Sequence, residues 1–176
     1  MPRSPNELPD ESVPAQTLAS QLFTHFVLGD ETSLFDSLRF RYEHVPRLQL
    51  EAFHKQVFLY LIATVAIALM NESYRQPAAA KVIEFFKHLV HEEVVRRGQS
   101  VEDVDNAVEK ASVDLHALLF TDPAPSPTKS FDWTQAWLRQ IAIVEFNPAT
   151  LFQVSQTWRN QHVTLAKLIG ETQITA

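Results

Sequence analysis

The chain has 176 residues, 45% of them hydrophobic, with twelve Phe and a formal net charge of −6. This length suits one domain with a substantial hydrophobic core. The negative charge argues against nucleic acid or anionic lipid as the main partner. Because the chain has no Cys and three Gly, disulfides, thiolate catalysis, Cys-ligated metals and a glycine-rich phosphate loop are excluded.

Residues 1–13 are polar and rich in Pro, which predicts a disordered N-terminal tail. The tail lacks the apolar stretch of a signal peptide, so we expect the protein to be cytoplasmic. We expect Pro14 in the first turn of a helix that ends at Gly29, a residue type typical of the position just after a helix. We therefore interpret Gly29 as the end of this first helix.

A second helix is predicted from about residue 31 to residue 44, with Leu34 and Leu38 facing inward. Phe40 lies off this apolar stripe, between two arginines. It is either an anchor for an interface or an isolated surface aromatic residue.

The next stretch, about residues 47–76, is bounded by Pro46 and Pro77 and contains neither Gly nor Pro. It predicts one helix of about 45 Å, long enough to cross the whole domain and therefore apolar on nearly every side. We expect an all-α fold, a six-helix orthogonal or up-down bundle around this one long central apolar helix.

A membrane span is the rival interpretation of the long helix. Its uninterrupted apolar run, residues 57–70, has fourteen residues, fewer than the roughly twenty that a bilayer core requires. Charged residues flank the run on both sides. We therefore predict that the helix does not span a membrane.

The helix that follows Pro77 is predicted to end at Gly98 and, after so short a turn, to fold back antiparallel on the long helix. Ser100 and Asp103 form a variant of the capping box that starts the next helix. Its apolar residues follow a narrow heptad seam, which fits the core edge of a bundle helix or an intermolecular coiled coil. The seam consists of Val101, Val104, Val108, Ala111, Leu115 and Leu118.

Residues 14–120 are thus predicted as the bundle core and residues 121–130 as a Pro-rich linker. Residues 131–170 are predicted as a C-terminal helix pair that packs on the same domain, although the linker could also separate it as an arm. This pair contains Trp133, Trp137 and Trp158, and His162 falls within the apolar stripe of its second helix.

Four charged or polar residues at one end of the predicted hairpin form a candidate polar cluster: Glu51, His54, Glu93 and Arg97. The Glu51-x-x-His54 spacing occurs in di-iron bundles, but it occurs once here, so we predict ion pairing and no metal site. Glu93 and Arg97 lie in an apolar stripe, where unpaired charges would cost several kcal/mol. We expect Arg97 to lie level with residues 55–57 and to pair with Glu51 or Glu93.

The functional prediction rests on the catalytic motifs that the sequence lacks and on the contact surfaces that it predicts. Without a catalytic constellation, the chain is interpreted as a non-enzymatic interaction or regulatory module that acts through protein contacts, as a homodimer. The alternative is a bundle that binds a small apolar ligand or cofactor against the long helix, where Ala63, Ala66 and Ala68 leave room. Metal and haem are less favoured, and no cofactor is predicted. The candidate ligand-facing residues are Tyr60, Thr64 and His162.

Overall fold

The computed structural model describes residues 12–39, 47–120, 134–139 and 148–176. Over these residues the fold is all-α apart from two three-residue strands, and the prediction of a bundle around one long central helix is confirmed. The predicted linker, the end of the second helix with Phe40, and Trp133 lie outside the described residues. So do residues 1–11 of the predicted tail.

The first helical run is continuous from residue 15 to residue 39. It consists of α1 (Ala15–Gln21), a π-helix (Leu22–Gly29) and α2 (Asp30–Arg39). The sequence predicts that the helix ends at Gly29, but here Gly29 is the last residue of the π-helix and α2 follows without a break. A π-helix hydrogen-bonds five residues apart, so it has a wider turn than an α-helix, and the helical run continues through Gly29 instead of ending there.

The central helix α3 spans Arg47–Ser73, within the predicted 47–76. It packs against α4 (Ala79–Arg96), α5 (Val101–Phe120) and α7 (Pro148–Glu171). The helical segment of residues 134–139, between α5 and α7 in the chain, is α6. Because neighbours cover it on several sides, even Tyr60 and Thr64 on its least apolar stripe are buried. The apolar run of α3 is thus a core feature, with each buried Leu or Phe stabilising the fold by about 1.5 to 3 kcal/mol.

A short turn after Ser73 reverses the chain, so α4 folds back on α3. Gly98 ends α4 with φ +70°, and the backbone amides of Gly98 and Gln99 donate to the carbonyls of Val95 and Val94. This is a Schellman end, as the sequence predicts. At the start of α5, Asp103 N donates to Ser100 Oγ at 3.3 Å, so the predicted cap forms.

The two ends of the described chain are paired. Strand β1 (Ser12–Pro14) and strand β2 (Gln173–Thr175) form a parallel ladder with Val13 opposite Ile174. The sequence assigns residues 12 and 13 to the tail and Pro14 to a helix, whereas here they precede a helix that begins at Ala15. Since parallel strands come from distant segments, three-residue strands leave no local pattern to detect.

Candidate functional site

The structure places three of the four predicted cluster residues around a buried carboxylate that the sequence does not single out, Glu31 of α2. Arg97 donates from Nη1 and Nη2 to the two Glu31 oxygens at 2.7 Å each. His54 Nε2 lies 3.2 Å from Glu31 Oε1. Arg97 Nε also donates to Glu93 Oε1 at 2.6 Å, so Glu31, His54, Glu93 and Arg97 form one network.

Of the two partners predicted for Arg97, Glu93 pairs with it and Glu51 does not. Glu51 is exposed, and the carboxylate in its place comes from α2. The predicted register of the hairpin is close, because the Arg97 guanidinium carbon lies 4.0 Å from the centre of the Phe58 ring. A usable signal was present, since Glu31, Leu34 and Leu38 share one side of a helix at spacings of three and four residues.

Two arginines lower the pKa of Glu93. Arg96 and Arg97 donate hydrogen bonds to its carboxylate and hold the pKa of Glu93 at about 2, against the opposing effect of burial. The Glu31 carboxylate in turn raises the pKa of Arg97 further above its usual range. A network of paired charges at this depth is typical of a structural clasp between α2, α3 and α4.

The geometry of this network gives no support to metal binding. Among the described residues, no three His, Asp or Glu side chains come together in a way that could hold an ion. The Glu51-x-x-His54 spacing alone therefore does not indicate a metal site, and the side chain of His54 lies beside that of Glu31. The absence of a cofactor stays a prediction.

Tyr60 lies in a buried group of aromatic rings. Its ring centre lies 5.6 Å from those of both Trp137 and Trp158, and Trp137 also contacts Phe53 edge-on. Tyr60 Oη donates to Asp114 Oδ2 at 3.4 Å, and burial followed by the Asp114 charge raises the pKa of Tyr60. These rings join α3 to α7 and to α6.

Two of the predicted ligand-facing residues, Tyr60 and Thr64, use their hydroxyl groups in hydrogen bonds inside the fold. Thr64 Oγ1 donates to the Tyr60 carbonyl at 2.7 Å within its own helix. His162 is half-buried on α7, and burial lowers its pKa. That Tyr60, Thr64 and His162 face a ligand therefore stays a prediction.

An open groove lies instead on the other side of α3, between α4 and α5, with a volume of about 290 Å³. Ile62 and Tyr60 point about 160° apart around the helix axis, so the groove and the aromatic group occupy opposite sides of α3. The groove floor is apolar and includes one residue that the sequence predicts to leave room, Ala66. Its apolar lining consists of Ile62, Ala66, Leu69, Ile83, Phe86, Val90 and Val108.

Four polar side chains form the rim of this groove: Lys87, Asp105, Asn106 and Glu109. Asp105 is held in place across the α4–α5 gap, because His91 Nε2 lies 2.8 Å from Asp105 Oδ1 and Lys87 Nζ lies 3.7 Å from Oδ2. An apolar floor with a few polar groups at the edge is the usual composition of a binding groove.

The seam of α5 faces inward, with Val104, Ala111 and Leu115 buried. This favours the bundle interpretation of the heptad pattern over an intermolecular coiled coil.

The central helix has the length and composition of a membrane span over Leu50–Ser73, a longer stretch than its fourteen-residue apolar run. Within that stretch, 72% of the most apolar window is buried inside the protein, which is typical of a core helix. The absence of a membrane span therefore stays a prediction.

Comparison of the chain with protein-family models, with curated proteins and with solved structures gives no match. A function for this chain therefore has to rest on its own residues and geometry.

Proposed function

We propose that this protein is a non-enzymatic helical module of the cytoplasm that acts through protein contacts, with the α3–α4–α5 groove as its contact surface. The observation that carries the proposal is the groove itself: apolar side chains from three helices form a floor that opens to solvent. Grooves of this kind commonly receive the apolar face of a partner helix.

The size of the groove suits side chains better than a large cofactor. At about 30 Å³ per water molecule, 290 Å³ holds roughly ten waters. Their release from an apolar floor would favour binding, at about 25 cal/mol for each Å² of apolar surface buried. One or two large apolar side chains of a partner would supply that surface.

The rim supports a contact role over catalysis. Of its charged groups, Lys87 and Asp105 lie near each other across the gap and Glu109 is exposed. The residues that line the groove include no Ser, Thr or Cys, so neither the rim nor the floor contributes a hydroxyl or thiol nucleophile.

A groove-filling substitution tests the proposal. Ala66→Phe places a ring in the groove, and Ala80→Phe, at an exposed position of α4, is the matched control. We expect proteins captured by the wild type to be recovered equally well by Ala80→Phe and to be lost from Ala66→Phe. Recovery that is unchanged in Ala66→Phe, or an absence of any captured protein, would contradict the proposal.

Self-association as a homodimer is the second part of the proposal, and the outer face of α7 is the surface that supports it. Phe152 is 54% exposed and Val163 is 63% exposed. Eleven residues separate them, which is three turns or about 16 Å, so they lie on the same side of the helix. Helix α7 carries two cations, Arg159 and Lys167, and one carboxylate, Glu171, so its net charge is small and two copies would repel each other little.

Sedimentation across a range of concentrations tests the homodimer. We expect a dimer for the wild type and a monomer for Val163→Glu, with Val95→Glu as the control because Val95 is 65% exposed on another helix. A monomer at all concentrations of the wild type would refute self-association and leave the groove proposal standing.

The same groove carries the second candidate function, binding of a small apolar ligand against the central helix. Its volume is at the lower end of the roughly 300 to 1,000 Å³ of small-molecule sites. Native mass spectrometry and an absorption spectrum of freshly purified protein separate the two functions. An added mass that Ala66→Phe removes would favour a ligand, whereas a clean mass without a visible band would exclude one.

A further inference from the structure

The groove is electrically asymmetric, and this asymmetry narrows the kind of partner that fits it. Helix α5 carries five carboxylates and one Lys, whereas α4 carries three carboxylates and three cations. Of the two helices that form the walls of the groove, α5 is therefore net negative and α4 is neutral.

The negative charges of α5 are aligned along the groove side of the helix. Glu102, Asp105 and Glu109 recur at spacings of three and four residues, so they share one side of α5. Asp105 is compensated by His91 and Lys87 of α4. Glu102 and Glu109 form no ion pair within the part of the chain that the structure describes, and Glu109 is part of the groove rim.

A second copy of this chain is a poor occupant of the groove. Groove-to-groove pairing would bring two copies of α5 together, and their like charges would oppose each other across the contact. A cationic partner would be attracted to the carboxylates of α5, whereas a second copy would be repelled by them. Charge complementarity therefore selects a different, positively charged surface.

We propose that the groove accepts a positively charged amphipathic helix, whose apolar side chains reach Ala66 and whose Lys or Arg side chains pair with Glu102 and Glu109. This inference rests on the proposed function and adds the chemistry of the partner. Glu102 and Glu109 are seven residues apart on α5, about 10 Å along its axis. The matching cations on a partner helix are therefore also about seven residues apart, on either side of an apolar residue.

Two capped, fluorescently labelled peptides of about fourteen residues probe this site. Both carry the same apolar stripe; one has two Lys seven residues apart beside the stripe, and the other has Glu at the same two positions. Fluorescence anisotropy gives the affinity of each peptide for the full-length wild type. Exposed ion pairs contribute up to about fivefold each, so we expect the Lys peptide to bind about tenfold more tightly.

Protein variants separate the charge from the groove. Glu109→Lys is expected to weaken the Lys peptide about tenfold and to strengthen the Glu peptide. Glu171→Gln, on the exposed end of α7, is the control and is expected to bind like the wild type. Raising the salt concentration to about 1 M should remove most of the preference, because the screening length falls to about 3 Å.

The outcomes distinguish failure of this inference from failure of the proposed function. If both peptides bind equally and Ala66→Phe prevents binding, the groove is a contact surface and the charge inference is overturned. If neither peptide binds, or if binding is unaffected by Ala66→Phe, both are overturned. Should Ala66→Phe unfold, Asn106→Trp provides the block instead, because Asn106 lies at the exposed rim and leaves the core intact.

Discussion

Arg97 and Glu31 form a bidentate ion pair in which Nη1 and Nη2 each donate to one carboxylate oxygen at 2.7 Å. Glu31 is buried and Arg97 is about three-quarters covered, so the pair joins α2 to α4 where the solvent screens it little. A buried pair of this geometry costs more to break on one side than to remove entirely.

We therefore predict that Arg97→Met lowers the free energy of unfolding by about 3 kcal/mol, because buried Glu31 loses its bidentate partner and Glu93 loses one of its two arginines. Urea unfolding of a double-mutant cycle with Glu31→Gln should give a coupling energy of about 1 to 3 kcal/mol. The matching cycle with Glu51→Gln should give a coupling near zero. A larger coupling to Glu51 than to Glu31 would show that the pair predicted from sequence is the one that forms.

Acid should weaken the same network through Glu93. Its pKa is about 2 in the folded chain and near the ordinary 4.5 when unfolded, so the unfolded state binds protons first as the pH falls. The stability that Glu93 contributes is complete above about pH 5 and is lost as the pH falls towards 2. Unfolding measured over this range should show a steeper decline for the wild type than for Glu93→Gln.

Glu84→Gln is the control for that pH series, because Glu84 is exposed and pairs with exposed Lys81. Its pH dependence should match that of the wild type. Equal slopes for Glu93→Gln and the wild type would mean that Glu93 is not held ionised by Arg96 and Arg97.

The network shows what the sequence could predict and what it could not. Local rules were sufficient for α3 and for the hairpin, because Pro46, Pro77 and Gly98 mark boundaries that depend on backbone chemistry alone. Counting residues from the turn placed Arg97 close to its observed position over Phe58. The sequence could place Glu31 on the same side of its helix as Leu34, but it could not show that the packing of α2 brings Glu31 to Arg97.

Tyr60 illustrates a second limit. Its hydroxyl group made it a candidate ligand-facing residue, but most of its surface is an apolar ring, and the ring packs against Trp137 and Trp158. The groove was not predicted either, although Ala66 was recognised as a place with room. A groove depends on how far α4 and α5 diverge on α3, which is a tertiary property.

Two glycines that the sequence treats alike should respond differently to Ala. Gly98 has φ +70°, so Gly98→Ala should lower the free energy of unfolding by about 1 kcal/mol, even though there is open space for a methyl group. Gly29 lies within the helical run, where an added methyl group would lie 3.4 Å from the Thr24 carbonyl oxygen. Gly29→Ala should be close to neutral, because helix propensity favours Ala by up to about 1 kcal/mol.

Thermal unfolding of the two glycine variants measures the difference. If both variants lower the free energy of unfolding by about 1 kcal/mol, Gly29 also has a positive φ. Gly29 would then end a helix, as the sequence analysis predicts.

Gln76 fastens the paired ends of the chain to the α3–α4 turn. Its Nε2 donates to Glu72 Oε1 and to the Thr172 carbonyl at 2.9 Å each, and its Oε1 accepts from Ile174 N at 3.0 Å. The amide side chain thus meets strand β2 as a neighbouring peptide group would. We predict that Gln76→Ala lowers the free energy of unfolding by about 2 kcal/mol, because polar backbone groups beside buried Ile174 lose their partner.

Hydrogen exchange at the Ile174 amide gives the local measure of this effect. The amide should exchange faster in Gln76→Ala than in the wild type, while amides in the middle of α3 keep their relative order of protection, because β2 opens without the rest of the fold. Gln16→Ala, at an exposed position of α1, controls for the loss of a Gln side chain and should leave the Ile174 rate unchanged. If Gln76→Ala also leaves that rate unchanged, the β1–β2 ladder alone protects the Ile174 amide and the Gln76 side chain contributes nothing to holding β2.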